Sequence, residues 1–136
     1  MADTGYSGTP LLKKLGIKPE MKVLVLHEPE DYFQWLGSNI SKQYIIKNET
    51  PAFVHLFAKN KAVFIKEMKA VLQFTKKNTS VIVWVSWYKK SSSLATDLSE
   101  DMIREFALQH NLVDIKVCAV SKDWSGLKLV VPVAKR

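Results

Sequence analysis

Three short stretches hold the side chains best suited to chemistry: His27-Glu28, Trp87-Tyr88-Lys89-Lys90 and Asp123-Trp124. Aromatic faces beside ammonium groups suit a planar or anionic ligand, such as a nucleotide-like molecule. A histidine adds a group that changes charge near neutral pH. No catalytic set is spelled out. His27, His55 and His110 stand far apart, without metal-ligand spacing and with a single cysteine to help, so no metal site is expected. There is no G-x-S-x-G elbow, and Ser125 in Trp124-Ser125-Gly126 reads as a turn serine. There is no G-x-x-x-x-G-K-[ST] phosphate loop. His55, flanked by apolar residues, reads as a satisfied core histidine. His27 falls where the first strand ends, which makes it the histidine to watch.

The elements that must position these groups follow from hydrophobic pattern. Val81-Ile82-Val83-Trp84-Val85 is a continuous apolar run, the mark of a strand covered on both faces. Met21–Leu26 and Phe53–Phe57 have the same character, and Tyr44-Ile45-Ile46 is a short further strand. Phe64, Ile65, Met68, Val71 and Leu72 recur at helical spacing and predict a helix over 61–76. Met102, Ile103, Phe106 and Ala107 do the same for a helix capped by Ser99, with Glu100 and Asp101 in its first turn. Thr96, Asp97 and Ser99 all read as helix-start chemistry. A short helix over 9–16 is framed by Thr9, Pro10 and Gly16 and should dock through Leu11, Leu12 and Leu15. Another spans Tyr32–Leu36, closed by Gly37. Asp114–Val120 and Leu127–Val133 are the last strands, paired as an antiparallel hairpin across a loop at 121–126. Residues 1–8, small and polar, are expected to form an extended or loosely ordered arm.

Strands alternating with helices imply right-handed crossovers and a mostly parallel sheet in one α/β domain, 1–136. In such a sheet the carboxyl ends of the strands share an edge, and ligands bind there. That edge gathers His27, Glu28, Lys59, Asn60, Trp87, Tyr88, Lys89 and Lys90, with Asp123 and Trp124 from the last loop. Strand ends are also commonly closed by aromatics with no ligand, so the plain alternative is that Trp87 and Trp124 cap the core while the lysines are solvated.

The 136 residues are 47% hydrophobic and 24% charged, an ordinary balance for one domain able to bury a core without disulfides. No run is long enough to span a membrane, and the first residues lack the features of a signal peptide, which points to the cytoplasm. Cys118, in an apolar context, reads as a buried core thiol. The net charge of +7 raises nucleic-acid binding as an option, but of the 20 basic residues 18 are lysines and only Arg104 and Arg136 are arginines. Scattered lysines fit a solvated basic surface with weak, nonspecific polyanion affinity.

The order helix, strand, helix, strand, hairpin return is similar to the carboxyl-terminal half of the S-adenosylmethionine-dependent methyltransferase fold, a three-layer Rossmann-like sheet whose last strand inserts antiparallel. The resemblance covers most of residues 9–133 and implies a trimmed version of that fold. Gly5-Tyr6-Ser7-Gly8-Thr9-Pro10-Leu11, Lys13-Lys14-Leu15-Gly16-Ile17-Lys18-Pro19, Val85-Ser86-Trp87 with Lys89-Lys90, Thr96-Asp97-Leu98 and Val117-Cys118-Ala119-Val120 with Trp124-Ser125-Gly126-Leu127 further resemble an uncharacterised bacterial family, domain of unknown function 3052. Methyltransferases of this fold place a glycine-rich turn after the first strand. Here that turn is His27-Glu28-Pro29-Glu30-Asp31, without glycine before Gly37. The resemblance therefore implies a non-catalytic or diverged module that binds a small anionic or nucleotide-like ligand, or a protein partner, at the carboxyl edge. A methyltransferase with an atypical first loop, binding S-adenosylmethionine there, is the enzymatic alternative.

Overall fold

The computed structural model describes residues 9–136; the expected arm at 1–8 lies outside them. Nine regular elements follow in order: α1 (Leu11–Leu15), β1 (Val23–Leu26), α2 (Tyr32–Leu36), β2 (Phe53–Phe57), α3 (Lys61–Lys77), β3 (Ile82–Tyr88), α4 (Glu100–Gln109), β4 (Val113–Ala119) and β5 (Trp124–Val130), with short 3-10 turns at Ser41–Gln43 and Val133–Lys135. The five strands form one sheet in the order β1-β2-β3-β5-β4. β1, β2 and β3 pair in parallel, and β5 runs antiparallel to both β3 and β4. Four strands thus point one way, and the last strand inserts against the grain, as the sequence pattern implied.

Both faces of the sheet are covered, which is why the central strands read as unbroken apolar runs. Alternation along β3 sends Val83, Val85 and Trp87 into a core shared with Phe64 and Met68 of α3 and Ile103 of α4. Trp84 goes the other way, into a second core with Leu11 and Leu15 of α1 and Tyr32 and Leu36 of α2. α1 is tied to the centre of the sheet by a specific bond: the Trp84 indole N–H donates to the Leu15 carbonyl at 2.8 Å. Gly16, in the left-handed conformation at φ 82°, ends the helix there.

Several expectations need correction. Tyr44-Ile45-Ile46 is not a strand; it makes a single parallel bridge, Tyr44 to Val23, on the open side of β1. The last strand begins three residues earlier than its apolar run suggests, because Trp124, Ser125 and Gly126 pair with Tyr88, Trp87 and Ser86. Trp124-Ser125-Gly126 is therefore strand, not turn. Gly126 is needed for closeness: a Cβ there would sit 3.0 Å from Val120 and 3.1 Å from the Trp84 ring. Cys118 is half-buried rather than buried, since β4 is an edge strand. Met102 and Ile65 are about two-fifths exposed, at 41% and 37%, so the buried stripes of α4 and α3 are narrower than the spacing implied.

Candidate functional site

The chain leaves β1 toward α2, which packs in the core beneath α1, whereas it leaves β2 toward α3 on the opposite face. Two neighbouring parallel strands whose exits diverge open a crevice between their carboxyl ends, the place where sheets of this kind hold ligands. A cleft of about 550 Å³ lies there, lined by His27, Glu28, Glu30, Phe57, Lys59, Tyr88 and Trp124, among others.

Each wall has a local cause. His27 ends β1 in the left-handed conformation, φ 59°. A glycine is the usual occupant of such a position, so the tight turn that lacked a glycine in the sequence is made nonetheless, at a cost of about 1 kcal/mol of backbone strain. The side chain is anchored: His27 Nε2 lies 2.6 Å from Glu67 Oε2, and the Lys47 ammonium donates to Glu67 Oε1 at 2.7 Å. Burial alone would raise the Glu67 carboxyl, but the hydrogen bonds from Lys47 and His27 outweigh it and hold it below the usual glutamate value. Tyr88 and Trp124, opposite each other on β3 and β5, place their ring centres 4.5 Å apart. Trp124 also meets Phe57 edge-on at 5.0 Å. Lys59, exposed at the mouth, makes no ion pair with any described residue.

Beneath the cleft floor lies a polar brace. His55 is fully buried, with its Nδ1 2.7 Å from the Tyr32 hydroxyl and its Nε2 2.7 Å from Ser86 Oγ. Both ring nitrogens are satisfied, and the ring stacks on Phe57 at 4.1 Å. Burial lowers the His55 pKa to about 3, so the imidazole is neutral. Burial also raises the Tyr32 hydroxyl well above its ordinary value, keeping it protonated. This serine, histidine and tyrosine chain has no opening to a substrate; it is the satisfied core histidine the sequence suggested. Beside it the Tyr44 hydroxyl is buried next to the Glu28 carboxylate, without a hydrogen bond of normal geometry to any described residue. Burial and the neighbouring Glu28 carboxylate push its ionisation upward.

Of the remaining expected residues, Trp87, Lys89 and Lys90 lie along the same edge but in another cleft. Trp87 points into the α3/α4 core, so it and Tyr88 serve opposite faces of the sheet. Trp87, Lys89 and Lys90 border a larger, open hollow of about 980 Å³ under the serine-rich segment 91–99, which Tyr88 also touches. Asp123 closes that segment rather than facing the β1/β2 crevice: its carboxylate accepts from Ser92 Oγ at 2.9 Å and its carbonyl from the Lys89 amide at 2.9 Å. Asp97, read as part of the α4 start, instead accepts from the Lys61 amide at 2.7 Å and so caps α3. Ser99 does cap α4, accepting from the Met102 amide. The structure thus brings His27, Glu28, Tyr88 and Trp124 together, leaves Trp87, Lys89 and Lys90 to the adjoining hollow, and puts Asp123 in the lining of neither. Glu67, Lys47, Tyr32 and Ser86 are polar partners that the sequence pattern does not mark. Among the described residues no group of three metal-ligating side chains occurs, and no helix is long and apolar enough to cross a membrane.

Comparison with known proteins gives the class of fold. A methyltransferase dependent on S-adenosylmethionine from Aquifex aeolicus superposes with a TM-score of 0.54 at 15% identity, covering 90% of this chain and 88% of that one. A putative tRNA (m1A22) methyltransferase from Streptococcus pneumoniae superposes with a TM-score of 0.56 at 8% identity, covering 90% and 70%. The chain therefore has a Rossmann-like, methyltransferase-like fold. No family model matches it, and no curated protein matches it in sequence.

Proposed function

We propose that the chain is a diverged methyltransferase-like module that binds a small nucleoside-containing ligand in the β1/β2 crevice. The observation that carries this reading is the coincidence of the cleft with the point where α2 and α3 leave the sheet on opposite faces. Its volume falls within the range of small-ligand sites. Tyr88 offers a partly exposed aromatic face for a base, and Glu28 and Glu30 are placed to accept hydroxyl groups. With two carboxylates beside one lysine and one histidine, the lining favours a nucleoside or a zwitterion over a polyphosphate.

S-adenosylmethionine, the cofactor implied by the fold's relatives, meets these requirements in part. The base and hydroxyls would face Tyr88, Glu28 and Glu30, and Lys59 is the free cation for a carboxylate. Bound, it would supply an electrophilic methyl group. The turn after β1, however, carries the His27 side chain where a bare glycine backbone would otherwise approach the ligand, and that side chain is held by Glu67. Binding without a dedicated catalytic group is the better fit.

Calorimetry with S-adenosylmethionine, S-adenosylhomocysteine, adenosine and ATP tests the reading. Binding of an adenosine compound that is weakened about fivefold or more by Tyr88→Ala is expected, since one base-to-aromatic stack contributes about 1–3 kcal/mol. No heat with any of the four at millimolar concentration rejects it. Methyl transfer from S-adenosylmethionine to a cell extract would favour the enzyme.

A further inference from the structure

A second surface stands apart from the crevice. Lys116 on β4 and Lys128 on β5 are directly opposed in the strand register. They project on the α1 side of the sheet, where the Lys116 ammonium reaches the Lys14 carbonyl at 3.4 Å and the Lys128 ammonium lies over Gly16. Like charges facing each other across a strand pair lower stability. Burial depresses the Lys128 ammonium, and Lys116 depresses it further. The described acidic side chains that form ion pairs do so elsewhere: Glu49 with Lys22, Glu67 with Lys47 and His27, and Glu100, Asp101 and Asp114 with Arg104. None pairs with Lys14, Lys116 or Lys128. The α1 carbonyl end offsets part of one charge but not three.

The geometry points to a docking surface for the sugar–phosphate backbone of a nucleic acid, formed by Lys14, Lys116 and Lys128. These lysines line neither of the clefts at the carboxyl edge, so they offer no enclosure for a compact anion. An extended polyanion needs none, because it gains from several weak contacts and from released counterions. A chain with net charge +7 draws such a partner in at long range. A bilayer surface fits less well: Val117, exposed beside Lys116, pairs with Leu127, which faces the α3/α4 core, so it gives this face no anchor, and Ile115, also exposed, sits at the register irregularity between Asp114 and Lys116. The inference is independent of the ligand proposed for the crevice.

The test is fluorescence anisotropy of a labelled single-stranded RNA of about 20 nucleotides, titrated from about 50 to 200 mM salt. Lys116→Gln/Lys128→Gln should flatten the log–log salt slope by roughly 1.4 and weaken binding about 25-fold at 0.1 M salt, as expected for two lost phosphate contacts. Lys116→Arg/Lys128→Arg should retain binding. Lys66→Gln/Lys69→Gln removes the same charge from α3 and should leave the slope unchanged. Thermal melts verify folding, and the glutamine pair, relieved of repulsion, should melt no lower than wild type. Equal weakening by both glutamine pairs overturns the proposal, as does no RNA binding at the lowest salt. Tighter binding to vesicles of anionic phospholipid than to RNA also overturns it.

Discussion

Acidification from pH 7.5 to 5 isolates the buried His55 brace. In the unfolded chain an imidazole titrates near 6.5, whereas in the folded protein burial lowers His55 to about 3. The folded state therefore binds fewer protons. Its stability is complete above about pH 6.5 and drains away as the pH falls toward about 3. Between pH 7.5 and 5 the loss should be about 2 kcal/mol. The Glu67 carboxyl is also depressed, but the stability linked to it is lost only below the free glutamate value of about 4.5, outside this window. Urea unfolding at pH 7.5, 6.5, 5.5 and 5 measures the effect in wild type and in His55→Gln. The variant should start lower by about 1–3 kcal/mol, since the Tyr32 and Ser86 hydroxyls lose partners. Its stability should then be nearly flat, so the two curves converge toward pH 5. Parallel curves would refute the reasoning, because the titrating group would then lie elsewhere.

Other perturbations probe the framework of the site. Gly126→Ala forces a Cβ to within 3.1 Å of Trp84 and 3.3 Å of Ser86 Oγ, and should cost about 1–3 kcal/mol in chemical denaturation; an unchanged midpoint would mean β5 shifts freely. Asp97→Ala removes the cap on α3 supplied from the 91–99 segment, and should cost about 1 kcal/mol while speeding hydrogen exchange at the Lys61 amide. Glu67→Gln weakens the hold on His27 and Lys47, so a ligand bound beside His27 should bind less tightly, by about 1 kcal/mol, with the fold retained.

The α/β architecture was legible because the signals behind it are local and repeated: both-face burial of β1, β2 and β3, and helical spacing in α3 and α4. The antiparallel return of β5 was legible from the short loop before it. Its start was not, because Gly126 has two possible meanings in a sequence, a turn or a close approach, and only the packing of Val120 and Trp84 decides. The edge was similarly half-visible. Strand direction alone brings His27, Tyr88 and Trp124 to one side. Which face of the sheet each serves depends on register, and register separates Trp87 from Tyr88. Glu67 could not be found from pattern, since a glutamate in a lysine-rich helix reads as a solvated face. Its burial is a consequence of His27 and Lys47 arriving from distant segments. The missing glycine after β1 carried information about the ligand-facing surface, but none about the backbone, which turns through His27 regardless.

Whether the β1/β2 crevice holds a nucleoside-containing ligand decides the function proposed for the chain. Titration of the isotope-labelled protein with S-adenosylhomocysteine and adenosine, followed by amide chemical shifts, addresses this directly. Saturable shifts confined to residues 27, 28, 30, 57–60, Tyr88 and Trp124 are the predicted result. Absence of shifts at millimolar ligand, or shifts centred on the 89–99 segment instead, would contradict it.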